Sequence, residues 1–183
     1  MTLDYRTARG WLRPEEREYL HRIAALAGID GVIVNIGVEY GASLVCFRSG
    51  NPQCRIFGID LDVSKAPNNL AVTFLRGDSG VHVRYAEQWL PDPINVLFVD
   101  GDHEYDGVVR DIEYTQLVSA RGIVIFHDCY DYKDPSIVHQ VCPGVNQAVQ
   151  EWYDRMSHAW EELESVGTMR IFRLRFEKDM FSV

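Results

Sequence analysis

Carboxylate and imidazole side chains stand directly after two apolar runs of the sequence. They are Asp100, Asp102, His103, His127 and Asp128. Three carboxylates brought to one place repel one another, so an ionised cluster needs a cation, a protonated member or wide separation. A divalent metal such as Mg²⁺ would meet that need. Structural roles are the alternative, because Asp102 could cap the helix after Tyr105 and His127 could be a hydrogen-bonded strand-end residue.

A glycine-containing segment, residues 35–43, is a second candidate site. Gly37 and Gly41 allow the backbone to turn sharply and to approach a ligand before the next helix begins. In the dinucleotide fingerprint GxGxxG the second glycine admits a pyrophosphate, but Glu39 stands at that position, where its carboxylate would repel phosphate. The segment therefore favours a ligand that carries an amino group and a sulfonium.

Polar residues after two further apolar runs extend this candidate binding site. Asp60 follows the glycine segment by about twenty residues and could accept hydrogen bonds from both hydroxyls of a ribose. An exposed acid after a strand is the alternative. Asp78 and Ser79 could contact the amino group of an adenine, although a plain turn explains them equally well.

The pattern of apolar runs predicts the elements that position these residues. Continuous apolar runs are typical of strands that are covered on both faces, and here they alternate with helical or loop segments. This alternation predicts a parallel sheet, in which ligands bind outside the carboxyl ends of the strands. The predicted strands are residues 31–37, 55–60, 72–75, 94–100 and 122–128.

Helical spacing and turn residues predict the remaining elements. An N-terminal helical segment, residues 1–28, contains a helix that begins at Pro14. Residues 161–166 and 169–176 predict a hairpin around Gly167 and Thr168, which adds an antiparallel strand at or near the sheet edge. We therefore expect a seven-stranded, mostly parallel sheet with helices on both faces. The other predicted helices are residues 42–47, 81–90, 108–117 and 145–160.

Length and composition limit the domain organisation and the partners. The chain of 183 residues is 46% hydrophobic and 25% charged, which suits one domain over residues 1–183. Its formal net charge of −9 disfavours a nucleic-acid partner, because phosphate binding needs clustered Lys and Arg. No stretch approaches the ~20 apolar residues that span a bilayer, and the first residues lack the order of a signal peptide, so we expect no membrane partner and a cytoplasmic protein.

Two segments carry a resemblance to a known family. Residues 99–105 (VDGDHEY) followed by Asp111, and residues 122–128 (GIVIFHD), resemble class I S-adenosylmethionine-dependent methyltransferases. The resemblance is to the small family grouped with sugar and antibiotic O-methyltransferases and related to catechol O-methyltransferase. It covers roughly residues 10–176 and implies a Rossmann-like sheet and methyl transfer to a small-molecule hydroxyl.

The resemblance also implies roles for the candidate residues. S-adenosylmethionine would be the cofactor, with Asp100 bordering it, and a divalent metal such as Mg²⁺ would be held by Asp100 and Asp128. The parts of the cofactor would be bound by separate groups: the methionine part by Gly37, Glu39, Gly41 and Ser43, the ribose by Asp60, and the adenine by Asp78 and Ser79.

The candidates for the general base stay open at this level. Asp102 matches the position proposed as the base in similar sugar O-methyltransferases, whereas His103 and His127 have ordinary pKa values better suited to proton transfer at neutral pH. The sequence departs from the family at His127, where metal-dependent relatives commonly have an acid or an amide. It departs again at Asn35, where an acid is usual and for which Glu39 could compensate.

Other function classes and partners remain compatible with the sequence. A non-catalytic Rossmann-like binding protein and, less readily because of Glu39, a nicotinamide-dependent oxidoreductase would share this sheet. The aromatic residues Trp11, Trp152 and Trp160 would serve a homodimer interface as readily as a core. Tyr130, Tyr132 and residues 133–139 could line an acceptor pocket or form a solvent-facing loop.

Overall fold

The computed structural model describes residues 4–129 and 142–175 and contains one seven-stranded sheet. The strand order is β3-β2-β1-β4-β5-β7-β6, with the first five strands parallel and β7 antiparallel to both of its neighbours. The predicted sheet is confirmed. The strands are β1 Val32–Ile36, β2 Arg55–Asp60, β3 Thr73–Arg76, β4 Ile94–Val99, β5 Val118–Phe126, β6 Trp160–Val166 and β7 Met169–Leu174.

Helices connect the strands, and several of them continue into a short 3-10 turn. The 3-10 turns cover Ala24–Ala27, Val63–Lys65, Ala86–Gln88 and Glu113–Leu117. None of the helices in the described part of the chain is long and apolar enough to cross a membrane. The α-helices are α1 Pro14–Ile23, α2 Ala42–Gly50, α3 Ser79–Arg84, α4 Tyr105–Ile112 and α5 Pro143–Met156.

The central strands are apolar along their whole length because helices cover both faces of the sheet. In β4 the side chain of Phe98 joins a cluster with Leu20 of α1 and Phe47 of α2, while Leu97 joins a second cluster with Trp152 of α5. Successive side chains of a strand point to opposite faces, so one strand supplies both clusters. The helices thus lie on both faces, as predicted.

The C-terminal part of the fold corrects one prediction and confirms another. The helix predicted for residues 145–160 ends at Met156, because Trp160 begins β6 and pairs with Leu174 of β7. The alternating strand, β7, lies between β5 and the edge strand β6, so the antiparallel strand predicted at or near the sheet edge is confirmed. Trp152 and Trp160 are 4% and 2% exposed and stack in the core, which leaves only Trp11 of the three tryptophans exposed.

The residues that precede α1 are held against this helix by its buried Arg17. The guanidinium group of Arg17 donates hydrogen bonds to the backbone carbonyls of Tyr5, Ala8, Gly10 and Leu12. Helix α1 packs against α2 on the same face of the sheet. The segment is therefore part of the core and brings residues 10–12 to the carboxyl ends of the strands.

Candidate active site

A cavity of about 610 Å³ opens at the carboxyl edge of the sheet. It lies between the ends of β1 and β4, which are neighbours in the sheet but continue toward opposite sides, to β2 and β5. Such a switch point is where open α/β sheets bind ligands. The cavity is lined by most of the residues singled out in the sequence: Gly37, Glu39, Ser43, Asp60, Asp78, Ser79, Asp100, Asp102, His103 and Asp128.

Two of the residues singled out in the sequence, Gly41 and His127, do not line this cavity. Gly41 is the residue before α2, and its φ of 77° is a left-handed conformation that glycine adopts without strain. His127 is 6% exposed and is not among the residues that line the cavity. Tyr130, Tyr132 and residues 133–139 lie outside the described residues.

The glycine segment approaches the end of β4 closely. Gly37 has a φ of 79°, and a Cβ atom at this position would lie 1.8 Å from the backbone oxygen of Asp100. The Nδ2 group of Asn35 donates to the backbone oxygen of Gly37 at 2.6 Å and helps to hold the turn. Glycine is therefore required at position 37 by both the backbone angle and the contact.

Asp60 is the residue that organises this segment. Its Oδ2 atom accepts hydrogen bonds from the backbone N–H groups of Val38 at 2.7 Å and Glu39 at 3.0 Å, and its Oδ1 atom accepts from Asp62 at 2.9 Å. A carboxylate offers about four acceptor positions, so about one remains for a ligand hydroxyl. The N–H groups that would bind a pyrophosphate in a dinucleotide site are directed at this carboxylate instead.

The side chain of Glu39 reaches the mouth of the cavity. Its Oε1 atom accepts a hydrogen bond of 3.3 Å from the indole N–H of Trp11, which is 83% exposed and also lines the cavity. The φ of Glu39 is 45°, in the left-handed region that non-glycine residues seldom adopt. This backbone angle turns a negative charge toward the ligand volume.

Asp78 and Ser79 lie where β3 leads into α3. The hydroxyl of Ser79 donates to Oδ1 of Asp111, and its backbone oxygen accepts from the Tyr114 hydroxyl at 2.8 Å. Asp111 is 1% exposed, and burial raises its pKa to about 6. Ser79 is thereby fixed with its lone pairs available, while the exposed Asp78 adds a carboxylate beside it.

The edge of the sheet where β4 and β5 end is called the chemistry edge below. It holds the carboxylates of Asp100 and Asp128 and the imidazoles of His103 and His127. Nε2 of His103 lies 2.9 Å from Oδ2 of Asp128 and 3.7 Å from Oδ1 of Asp100. Nδ1 of His127 lies 3.1 Å from the same Asp100 oxygen and 3.4 Å from the same Asp128 oxygen. The ends of β4 and β5 therefore bring together the residues predicted to meet there.

These contacts decide the protonation states at the edge. The carboxylates of Asp100 and Asp128 raise the pKa of His103 to about 10. Burial alone would lower the pKa of His127, but the surrounding carboxylates outweigh it and hold this pKa well above its ordinary value. Burial would raise the pKa of Asp128, but the two imidazoles hold it well below its usual range.

Glu16 of α1 completes the edge and was missed in the sequence. Its Oε2 atom lies 3.2 Å from Nε2 of His127 and accepts from the backbone N–H of Arg13, while Oε1 accepts from the backbone and hydroxyl of Thr168. The side chain is fully buried, and His127 holds its pKa below the ordinary value against the effect of burial. The only signal in the sequence was an acid in the first helical turn, which is common.

Asp102 does not fill the helix-capping role considered for it in the sequence. Its Oδ1 atom accepts from the backbone N–H of Glu104 at 3.0 Å, so it shapes the turn before α4 without capping the helix itself. Its Oδ2 atom lies 3.6 Å from the guanidinium group of Arg110. The carboxylate is exposed and faces the cavity.

The residues at the edge fit a divalent ion. Asp100, His127 and Asp128 each offer one ligand atom within 4.8 Å of one another, and His103, Asp128 and Cys142 form a second such group. Carboxylate oxygen and imidazole nitrogen are both common metal ligands. The donor chemistry therefore supports a metal at the site that the sequence predicted.

Comparisons with known proteins agree with this geometry. Residues 34–129, just over half of the chain, match the family model of a methyltransferase domain. The uncharacterised protein R132 of Acanthamoeba polyphaga mimivirus is 32% identical over 137 residues, which are 67% of this chain and 61% of that protein.

Two solved structures illustrate the similarity of fold. The O-methyltransferase from Bacillus cereus in complex with SAH is 13% identical, with a TM-score of 0.68 over 90% of this chain and 83% of that one. The MycE methyltransferase from the mycinamycin biosynthetic pathway, in complex with Mg and SAH, is 19% identical, with a TM-score of 0.67 over 93% of this chain and 53% of that one. The present chain thus spans about half the length of MycE and 61% of the mimivirus protein.

Proposed function

The chain belongs to the methyltransferase-domain family whose model matches residues 34–129, and from this premise we propose that it transfers the methyl group of S-adenosylmethionine to a hydroxyl oxygen of a small molecule. The cavity of about 610 Å³ at the switch point is the proposed site. Its volume lies in the range of about 300–1,000 Å³ that is usual for small-molecule and cofactor pockets.

The main support for the proposal is that the carboxylate of Asp60 accepts hydrogen bonds from backbone N–H groups of the glycine segment. Because the N–H groups of Val38 and Glu39 donate to Asp60, they are not available to a pyrophosphate. The carboxylate of Glu39 also lines the cavity, where it attracts an ammonium or sulfonium group. This arrangement favours S-adenosylmethionine over a nicotinamide dinucleotide.

The cofactor is proposed to lie along the cavity in three parts. Gly37, Glu39 and Ser43, with Gly41 shaping the turn, surround the methionine part, and the remaining acceptor position of Asp60 binds a ribose hydroxyl. Asp78 and the lone pairs of Ser79 accept from the adenine amino group. Asp100 lines the cavity at the end of β4, so a cofactor held in this way would have its sulfonium methyl near the chemistry edge.

Transfer of the methyl group requires alignment and removal of a proton from the acceptor. The carboxylates of Asp100 and Asp128 raise the pKa of His103, which favours its hydrogen-bond-donating form and suits it to hold a developing acceptor anion. Asp102 is a carboxylate at the cavity surface and takes the role of proton acceptor. A divalent ion held by Asp100 and Asp128 would lower the pKa of a coordinated hydroxyl.

His127 is assigned a role at the carboxylates of Asp100 and Asp128 in place of the base role considered from sequence. Both of its ring nitrogens face carboxylates, Glu16 on one side and Asp100 with Asp128 on the other. It is 6% exposed and does not line the cavity. We infer that it acts on Asp100, Asp128 and an ion held there, and not on the acceptor.

Named functions of structural neighbours support a small-molecule acceptor. MycE has also been solved with Mg, SAH and mycinamycin VI, and TomG is described as an O-methyltransferase involved in tomaymycin synthesis, in complex with SAM. Both neighbours are less than 25% identical to this chain, so they suggest the class of methyl acceptor and not a particular acceptor compound.

Titration calorimetry with S-adenosylmethionine, S-adenosylhomocysteine and NADH tests the proposal. We expect micromolar binding of the first two and none of NADH. Methyl transfer is then followed with labelled cofactor and a panel of catechols, hydroxylated macrolides and sugars. Tight NADH binding or no binding of either adenosyl compound would contradict the proposed cofactor, and binding without turnover on any acceptor would instead support a non-catalytic binding protein.

A further inference from the structure

His127 gives the chemistry edge a nitrogen donor between two oxygen donors. Its Nδ1 atom lies 3.1 Å from Oδ1 of Asp100 and 3.4 Å from Oδ2 of Asp128. Two ligand atoms that are each about 2.1 Å from one ion are roughly 3.0 Å apart at a right angle and roughly 3.4 Å apart at a tetrahedral angle. Both distances from Nδ1 therefore match the spacing of two ligands on a single ion, and all three ligand atoms lie within 4.8 Å of one another.

Glu16 sets the orientation of the imidazole from the opposite side. Its Oε2 atom lies 3.2 Å from Nε2 of His127, and both carboxylate oxygens are anchored by hydrogen bonds from Arg13 and Thr168. A histidine that donates its Nε2 proton to a carboxylate presents the Nδ1 lone pair to a metal, and such buried partners raise the basicity of the ligand. Glu16 is fully buried, so water does not weaken this contact.

The type of donor decides which ion the site prefers. An all-oxygen set of carboxylates and water suits Mg²⁺, whereas imidazole suits Zn²⁺ and other first-row transition ions. We propose that the buried Glu16–His127 pair turns the metal site at Asp100 and Asp128 into one that selects a transition ion such as Zn²⁺ or Co²⁺ over Mg²⁺. This metal preference belongs to the proposed methyltransferase site and rests on that proposed function.

Metal binding measured without turnover tests this selectivity. The full chain is titrated with Co²⁺ and with Mg²⁺, and the visible absorption of bound Co²⁺ is recorded because it changes with a nitrogen ligand. We expect Co²⁺ to bind at least roughly tenfold more tightly than Mg²⁺ and Glu16→Gln to weaken Co²⁺ binding by roughly 10–100-fold. Glu15→Gln, which removes a neighbouring exposed acid of the same helix, is the matched control and leaves binding unchanged.

A second variant separates ligand identity from a defect of folding. His127→Asn replaces the nitrogen ligand by an oxygen, and we expect the ratio of Co²⁺ to Mg²⁺ affinity to fall by about tenfold or more while the absorption bands shift. Titration of each variant with S-adenosylhomocysteine reports whether the cofactor site is intact. If wild-type protein binds this ligand but shows no Co²⁺ preference, or if His127→Asn leaves the preference unchanged, the metal inference is overturned while the proposed methyl transfer stands.

Discussion

Asp111 allows a quantitative prediction about folding stability and pH. Its carboxyl group is 1% exposed, with Oδ1 bound to the Ser79 hydroxyl. Within the described residues, Oδ2 is buried without a hydrogen-bond partner. Burial disfavours the charged form and raises the pKa from its ordinary value of 3.8 to about 6. The folded protein therefore retains a proton that the unfolded chain loses at lower pH.

The sign and size of the effect follow from this difference. Below pH 3.8 the carboxyl group is protonated in both states, and between 3.8 and about 6 only the folded state keeps the proton, so stability falls as pH rises through this window. One pKa unit corresponds to about 1.4 kcal/mol, so the full loss above the window is about 3 kcal/mol. Between pH 5.0 and pH 7.5 the expected part of this loss is about 1.4 kcal/mol.

Asp111→Asn removes this contribution while an amide keeps the contact with Ser79. Urea unfolding of both proteins at pH 5.0 and pH 7.5 gives four free energies of unfolding. We expect the variant to gain about 1.4 kcal/mol relative to the wild type between the two pH values, because other titrating groups cancel in the comparison. Asp106→Asn, an exposed acid of the same helix, should show no such gain.

A flat difference between wild type and Asp111→Asn across these pH values would refute the reasoning. It would mean that the carboxyl group is ionised in the folded protein without penalty and that its second oxygen is satisfied. The same result from Asp106→Asn as from Asp111→Asn would show that net charge, and not burial, sets the pH dependence.

Further predictions concern the cofactor loop and the core. Glu39→Gln should weaken binding of S-adenosylmethionine about fivefold more than binding of S-adenosylhomocysteine, because only the former carries a sulfonium charge; equal losses in calorimetry would remove Glu39 from sulfonium recognition. Gly37→Ala should reduce the affinity for S-adenosylhomocysteine by at least about tenfold. The new Cβ would meet the Asp100 backbone oxygen, and the φ of 79° is strained for alanine. Unchanged affinity would show that the loop relaxes freely. Trp152→Ala should lower the free energy of unfolding by about 3–5 kcal/mol in urea, because this ring packs against Phe126, Trp160 and Phe172; a loss below about 1 kcal/mol would mean that the core collapses around the cavity.

The position of the site could be predicted from sequence because it depends on local patterns. Apolar runs mark buried strands, and the residues after each run must lie at the same edge of a parallel sheet. Strand β2 has the bounds predicted for it, and Asp60, Asp100 and Asp128 all lie at the predicted edge. The apolar residues of a strand indicate by themselves that the strand is buried, so no information about distant contacts is needed to predict it.

The residue at which a helix ends is harder to predict from such local patterns. Residues 157–160 continue a helical spacing, but the backbone of Trp160 pairs with Leu174, and that pairing ends the helix. A partner elsewhere in the chain thus overrides the local preference for helix. The place of β7 was predictable, since it lies next to the edge strand β6, as expected for a strand at or near the edge.

The chemistry of the site was decided by tertiary structure alone. Sequence determined that carboxylates and histidines would meet at one edge, but not that Glu16 would reach His127 from 111 residues away. It also could not show that Asp60 binds the loop amides or that two carboxylates hold His103 protonated. Hydrogen-bond partners and pKa values depend on distances of a few ångströms and on burial, and folding sets these between residues that are far apart in the chain.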